Sequence, residues 1–85
     1  MPPNTQDFQN ELNNILMSAQ KQGAPYVDAV SGDLHRRVGG YPAHNHRMPP
    51  CCSVMKRNMK ADDRILQEPD SGQGATLIIR YKLLR

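Results

Sequence analysis

The chain has 85 residues, of which 38% are apolar, 22% are charged and 5% are aromatic. A chain this short forms one domain with a small core, which excludes a deep enclosed active site. Its apolar runs without a charge, such as residues 75–79, are far shorter than the ~20 residues of a membrane-spanning helix. We therefore expect one soluble domain and no membrane partner.

The charges are segregated along the chain, although the formal net charge is only +3. Residues 1–30 carry a net charge of −2, residues 31–60 carry +5, and residues 61–85 carry none. The middle third contains six basic residues and a single acid, Asp33. Clustered charge of this kind indicates a surface for a polyanion, and the alternative is a solvated basic loop.

The first predicted element is an amphipathic helix over residues 7–22. Its apolar side chains recur at i, i+4, i+7, i+8 and i+11, which is the spacing of one helix face. They are Phe8, Leu12, Ile15, Leu16 and Ala19. Asn4 or Thr5 can cap the start of this helix, and Gly23 stops it. Residues 1–6 are expected to form a flexible N-terminus.

A short strand and a second helix follow. Residues 26–30 alternate enough to predict a minimal strand. Ser31 offers an N-cap for the next helix. Leu34 and Val38 recur at i and i+4, and Gly39 ends this element after about eight residues.

Residues 49–60 carry two stripes of side chains at helical spacing. The apolar stripe consists of Cys51, Cys52, Met55 and Met59. The polar stripe consists of Ser53, Lys56, Arg57 and Lys60. Pro49 or Pro50 fits the first helical position, where the missing N–H has no intrahelical partner in any case. We therefore predict a third helix with a basic outer face.

The last third of the chain predicts a β-hairpin. Residues 64–67 have the composition of a strand, residues 68–74 that of a turn, and residues 75–83 alternate with a period of two. The inward positions of this last strand are Ala75, Leu77, Ile79, Tyr81 and Leu83. Residues 7–85 are thus expected to form a single domain.

The order of these elements, with a Gly-rich tip on the hairpin, resembles the winged helix-turn-helix superfamily. Residues 27–39 look like the first strand and second helix of that family, with a Ser before a Leu and a closing Gly. Residues 63–77 look like its two wing strands. The chain departs from the family at residues 39–48, where about ten residues replace a turn of three or four. The resemblance implies an α+β fold of three helices with a C-terminal hairpin.

The resemblance also implies that the protein binds double-stranded DNA, in the role of a transcriptional regulator. It assigns phosphate and base contacts to the third helix, through Ser53, Lys56, Arg57 and Lys60. It assigns further phosphate contacts to Arg36 and Arg37, and it places the wing tip near the DNA backbone, through Gly72 and Gln73. A homodimer would add to the few base contacts of one small domain. The alternative is a protein-binding adaptor of the same fold.

The stretch at residues 41–47 has no periodicity and is predicted to be an ordered loop. It combines an aromatic ring, two imidazoles and an Arg, which are groups that stack on nucleotides or donate hydrogen bonds to them. We expect His46 and Arg47 to contact nucleic acid. The alternative is a loop that packs onto the domain through Tyr41 and Pro42.

Catalysis and metal binding are not expected. The tripeptide at residues 44–46 has the His and Asn residues that define one family of nucleases. Three consecutive residues are, however, too compact to form the metal site of that family. Cys51 and Cys52 are adjacent, whereas zinc sites space their cysteines by two to four residues. We therefore predict no enzyme activity, no metal and no cofactor. Two cysteines without an expected disulfide, and no secretory signal, predict a cytoplasmic protein.

Overall fold

The computed structural model describes residues 4–39, 48–70, 72 and 74–83. Within them the protein has three helices and one three-stranded antiparallel sheet, which is an α+β arrangement. The elements are α1 (Thr5–Lys21), β1 (Tyr26–Val30), α2 (Ser31–Val38), α3 (Met48–Arg57), β2 (Arg64–Gln67) and β3 (Ile78–Lys82). The predicted helices and strands are confirmed in number and order, and several of their ends differ.

Helix α1 begins at Thr5, before its predicted start, because Asn4 and Asp7 form a capping box. The backbone N–H of Asp7 donates to Asn4 Oδ1 at 2.9 Å, and the backbone N–H of Asn4 donates to Asp7 Oδ2 at 3.0 Å. These bonds engage N–H groups that lack an intrahelical partner. Thr5 and Gln6, which the sequence placed in a flexible N-terminus, therefore belong to the helix.

Strand β3 lies at the centre of the sheet, whose order is β1-β3-β2. The predicted hairpin is the β2–β3 pair, and β1 joins the other edge of β3, also antiparallel. The register pairs Tyr26 with Lys82 and Asp28 with Arg80. Arg64 of β2 lies opposite Arg80 as well. Because side chains alternate along a strand, these five residues share one face of the sheet.

The three helices cover the other face of the sheet, and the core lies between the two layers. The buried apolar side chains are Phe8, Leu12, Ala29, Leu34, Met48, Cys51, Cys52, Val54, Met55, Leu77, Ile79 and Tyr81. The predicted inward faces of α1 and β3 supply many of them. Met48 and Val54 lie outside the predicted apolar stripe, so α3 is buried over more of its surface than the sequence indicates.

The start of α2 differs from the prediction that Ser31 is its N-cap. Val30 holds that position without a side-chain hydrogen bond. The backbone N–H of Ser31 donates to the carbonyl of Leu77 at 2.9 Å, and that of Gly32 donates to the carbonyl of Ala75 at 3.0 Å. The chain that precedes β3 thus satisfies the first turn of α2, a task that a capping side chain usually performs.

This contact also explains why β3 begins at Ile78 and not at residue 75. The carbonyl of Gly74 accepts a hydrogen bond from the Ser31 hydroxyl, so residues 74–77 face α2 and do not pair with another strand. A Cβ atom on Gly32 would lie 3.0 Å from the Ala75 carbonyl oxygen. The close approach of these two segments therefore depends on glycine at position 32.

Helix α3 ends at Arg57, before the predicted end at residue 60. The side-chain amide of Asn58 donates to the carbonyl of Val54 and to Gln9 Oε1, both at 2.8 Å. The amide thereby occupies a terminal carbonyl of α3 and ties this end of the helix to α1. Lys60, predicted on the helical stripe, lies beyond the helix.

Candidate nucleic-acid interface

The outer face of α3 presents Ser53 and Arg57, which are one helical turn apart and both exposed. Lys60 is exposed just beyond the end of the helix. None of the ion pairs among the described residues involves Arg57 or Lys60. Three of the four predicted polar residues of the stripe are therefore open to solvent, although Lys60 is not helical.

Lys56, the fourth residue of the predicted stripe, is engaged inside the protein. Its Nζ donates to Glu68 Oε2 at 2.6 Å and to the carbonyl of Gly72 at 2.8 Å. The structure thus brings together two predicted site residues, Lys56 and Gly72. Two of the three ammonium donors of Lys56 are used in this contact, so its main structural role is to hold the chain after β2 against α3.

The segment between β2 and β3, residues 68–77, is called here the β2–β3 connection. Lys56 holds its first half, and the first turn of α2 holds its second half. The Sγ atom of Cys52 lies 3.4 Å from the backbone nitrogen of Gly74 and accepts a hydrogen bond from it. The connection is consequently packed against the helices at several points and is not a freely projecting arm. Gln73, predicted at its tip, lies outside the described residues.

Arg36 and Arg37 lie on the exposed side of α2, and each forms an ion pair. Arg36 Nη1 lies 2.9 Å from Asp33 Oδ1 within the same helix. Arg37 Nη1 lies 3.5 Å from Oε2 of Glu11, so Arg37 is directed toward α1. Both arginine side chains remain more than half exposed. The structure does not join them to Arg57 through any contact that it describes.

The loop contact predicted for His46 and Arg47 lies outside the described residues, which resume at Met48. The alternative interpretation of that loop, packing through Tyr41 and Pro42, lies there as well.

A polar cluster on the uncovered face of the sheet was not predicted. Arg80 Nε donates to Asp28 Oδ1 at 2.8 Å, and Arg80 Nη2 donates to Asp28 Oδ2 at 3.1 Å. The guanidinium carbon lies 4.0 Å from the centroid of the Tyr26 ring. The Arg80 hydrogen bonds hold the pKa of Asp28 below its usual value. We call these three residues the sheet platform.

The alternation of residues 75–83 correctly placed Arg80 and Lys82 on the outer face. The sequence did not indicate that β1 is the neighbour of β3, so Tyr26 and Asp28 could not be placed beside Arg80. The alternation of polar residues on both strands is the sequence signal that could have indicated a shared polar face.

The two cysteine thiols belong to the hydrophobic core. Cys51 and Cys52 are both buried and not disulfide-bonded. Burial raises the pKa of the Cys51 thiol to about 12, and the neighbouring Cys52 adds to this effect. Since the thiolate is the nucleophile, a thiol that stays protonated is inert. Among the described residues, no group of three or more His, Cys, Asp or Glu side chains could hold a metal ion.

Comparison of the chain with protein-family models, with curated proteins and with solved structures gives no match in any of the three. In the described part of the chain, no helix has the length and apolar character needed to span a membrane.

Proposed function

We propose that this protein binds double-stranded DNA with a winged-helix fold, in which α3 is the recognition helix and the β2–β3 connection is the wing. The proposal rests on one observation, which is the exposure of Arg57 and Lys60 without an ion pair to a described residue. Arg57 is exposed at the end of a helix whose opposite face is buried in the core, and Lys60 is exposed just beyond that helix. Neither forms an ion pair with a described residue. Such cations are available to phosphates without losing an existing partner.

Regional charge supports the same proposal. Residues 31–60 carry a net charge of +5, and a polyanion is the partner that such a segment attracts. Arg36 and Arg37 add phosphate contacts in this proposal. Their present partners are surface carboxylates, and exposed pairs of this kind contribute little, so exchange with a phosphate is favourable.

Lys56 has a positioning role in this proposal. Its bonds to Glu68 and Gly72 fix the wing beside α3, so that both elements approach the same stretch of duplex. Direct phosphate contact is left to four cations, Arg36, Arg37, Arg57 and Lys60. A cytoplasmic transcriptional regulator that binds as a homodimer is the biological role we propose for this interface.

The test is the salt dependence of binding to a fluorescent random-sequence DNA duplex, followed by anisotropy between about 50 and 300 mM salt. Four phosphate contacts predict that log K falls with log salt at a slope near −4. Arg57→Gln and Lys60→Gln should each weaken binding and flatten the slope by about one unit. Lys21→Gln is the matched control, because it removes the same charge from an exposed position at the end of α1.

Equal losses from Lys21→Gln and Arg57→Gln would mean that net charge and not α3 governs binding. A duplex affinity too weak to detect at about 50 mM salt would reject DNA binding altogether. The remaining candidate is then the protein-binding adaptor. One observation favours it: Ile65 and Leu66 of the edge strand β2 are 39% and 46% exposed, which is unusual for aliphatic residues in a strand.

A further inference from the structure

We propose that the uncovered face of the sheet is a second nucleic-acid surface, on which a base of a single strand stacks on the Arg80 guanidinium. The sheet platform supplies the flat surface, and Arg64 and Lys82 supply the charges for the flanking phosphates. This surface lies on the side of the sheet opposite the helices, so it is separate from the interface proposed for duplex DNA.

The platform is already arranged for stacking. Two parallel hydrogen bonds that Arg80 donates to Asp28 fix the plane of the guanidinium, and the Tyr26 ring covers one side of it. The Arg80 side chain is nevertheless 41% exposed. The guanidinium therefore has one face against Tyr26, and Arg80 also lines an open concavity. Arg planes and aromatic rings are the surfaces on which proteins stack unpaired bases.

Two further cations flank the platform. Lys82 lies opposite Tyr26 in the sheet, and Arg64 lies opposite Arg80. Neither forms an ion pair among the described residues, in contrast to Arg80. A base on Arg80 would thus have a cation on either side for the phosphates that precede and follow it.

A concavity of about 340 Å³ marks the place where the base would lie. It is lined by Pro25, Tyr26, Asp62, Arg64, Arg80 and Lys82. Its volume is at the lower end of small-ligand pockets, which suits one nucleotide unit. Asp62 is one of its lining residues, and a carboxylate can accept a hydrogen bond from the amino group of a base.

The chemistry of the surface favours a single strand over the other polyanions. A duplex hides the faces of its bases, so it cannot stack on Arg80. An acidic peptide without aromatic residues has no ring that could stack on the platform. Only an unpaired strand combines flat bases with regularly spaced phosphates.

The experiment separates the planar group from its charge. Arg80→Lys keeps the positive charge and removes the plane, whereas Lys21→Arg keeps the charge at an exposed position on α1, outside the sheet platform, and is the matched control. We expect Arg80→Lys to weaken binding of a fluorescent single strand of about 12 nucleotides by roughly fivefold or more, and Lys21→Arg to leave it within about twofold. Thermal melting of each variant identifies the temperature range in which all remain folded.

A second pair of variants tests the ring. Tyr26→Leu should weaken single-strand binding, because the guanidinium loses its backing, and Tyr26→Phe should not. Duplex binding is measured in parallel and should be unaffected by Arg80→Lys. This arrangement separates the two proposals, because failure of duplex binding leaves the single-strand result intact.

Three results would overturn the inference. They are the absence of single-strand binding by the wild-type protein, equal binding by Arg80→Lys and wild type, and a loss in Arg57→Gln as large as that in Arg80→Lys. The last of these would place the single strand on α3.

Discussion

Two buried side chains, the thiol of Cys51 and the phenol of Tyr81, resist ionisation in the folded protein. Burial raises the pKa of the Cys51 thiol to about 12 and raises that of Tyr81 as well. In the unfolded chain both groups ionise near their ordinary pKa values, about 9 for a thiol and 10 for a phenol. The folded state therefore binds more protons than the unfolded state in alkaline solution.

This difference predicts that stability falls as the pH rises above about 9. The raised pKa of Cys51 contributes stability that is fully present below pH 9 and is lost between about pH 9 and 12. By pH 10 the loss from this thiol should be on the order of 1 kcal/mol. Urea unfolding at pH 7, 9 and 10 measures it.

Cys51→Ala is the control for this prediction. It removes the titrating thiol, so the decline of stability between pH 7 and 10 should be shallower than in the wild type, although Tyr81 still contributes. Parallel curves for the two proteins would show that the Cys51 thiol does not titrate differently in the folded and unfolded states.

Lys56 illustrates how far single residues could be predicted from the sequence. Lys56 lies on α3, as predicted. The sequence did not indicate that its side chain would be partly buried, to about the same degree as that of Glu68. The stripe depends on spacing within one helix. The bonds to Glu68 and Gly72 depend on where the chain after β2 returns, and no local pattern encodes that.

At the scale of elements, the role of Lys56 leads to a prediction about the β2–β3 connection. Lys56→Met keeps the aliphatic stem and removes the ammonium that joins Glu68 to Gly72. We expect a loss of about 1 kcal/mol, since a partly exposed ion pair and one hydrogen bond are removed. We also expect faster amide hydrogen exchange within residues 68–77. Urea unfolding and exchange measurements check the two effects.

Arg57→Met provides the comparison, because Arg57 is the next residue of α3 and is exposed without an ion pair among the described residues. Its substitution should change the unfolding free energy by less than about 0.5 kcal/mol. If Lys56→Met changes the unfolding free energy as little as Arg57→Met does, the bonds to Glu68 and Gly72 do not hold the β2–β3 connection in solution.

The ends of the elements show which signals the sequence contains. Strand β1 has the predicted bounds, and α1 ends where Gly23 requires, because those signals are local. Ser31 was misassigned because its hydroxyl has two acceptable roles. The capping role is local, whereas the observed acceptor, the carbonyl of Gly74, is 43 residues away. Periodicity could not choose between them.

At the scale of the whole molecule, the core is small and Met55 lies in it without solvent exposure. A protein of this size has a total stability of about 4–13 kcal/mol. Met55→Ala should remove roughly 2–4 kcal/mol, the cost of lost burial plus a cavity. Urea unfolding measures the change, and the variant should approach marginal stability.

Met17→Ala is the matched substitution, because Met17 is 54% exposed on α1. It should cost less than about 0.5 kcal/mol. A small effect of Met55→Ala, comparable to that of Met17→Ala, would contradict the packing of α3 described above.

The overall class was predictable because each helix and strand has a local signal in the sequence, either a periodic pattern or, for β2, its composition. The sheet order was not, because pairing of β1 with β3 depends on contacts between the two ends of the chain. The sheet platform shares this origin, since Asp28 and Arg80 are 52 residues apart. A site formed by strands that are distant in the sequence cannot be predicted until the strand order is known.

The central position of β3 has a consequence for the newly made chain. During synthesis, β1 emerges early and finds no strand to pair with until Arg80 and its neighbours have been added. At a synthesis rate of roughly 5–20 residues per second, the separation of 52 residues corresponds to a delay of about 3–10 s. For that interval the residues of β1 have no β3 to pair with, and the charge of Asp28 in their middle opposes edge-to-edge association with other chains. The Asp28 carboxylate, which orients Arg80 in the folded protein, thus also opposes association of the nascent chain before Arg80 has been added.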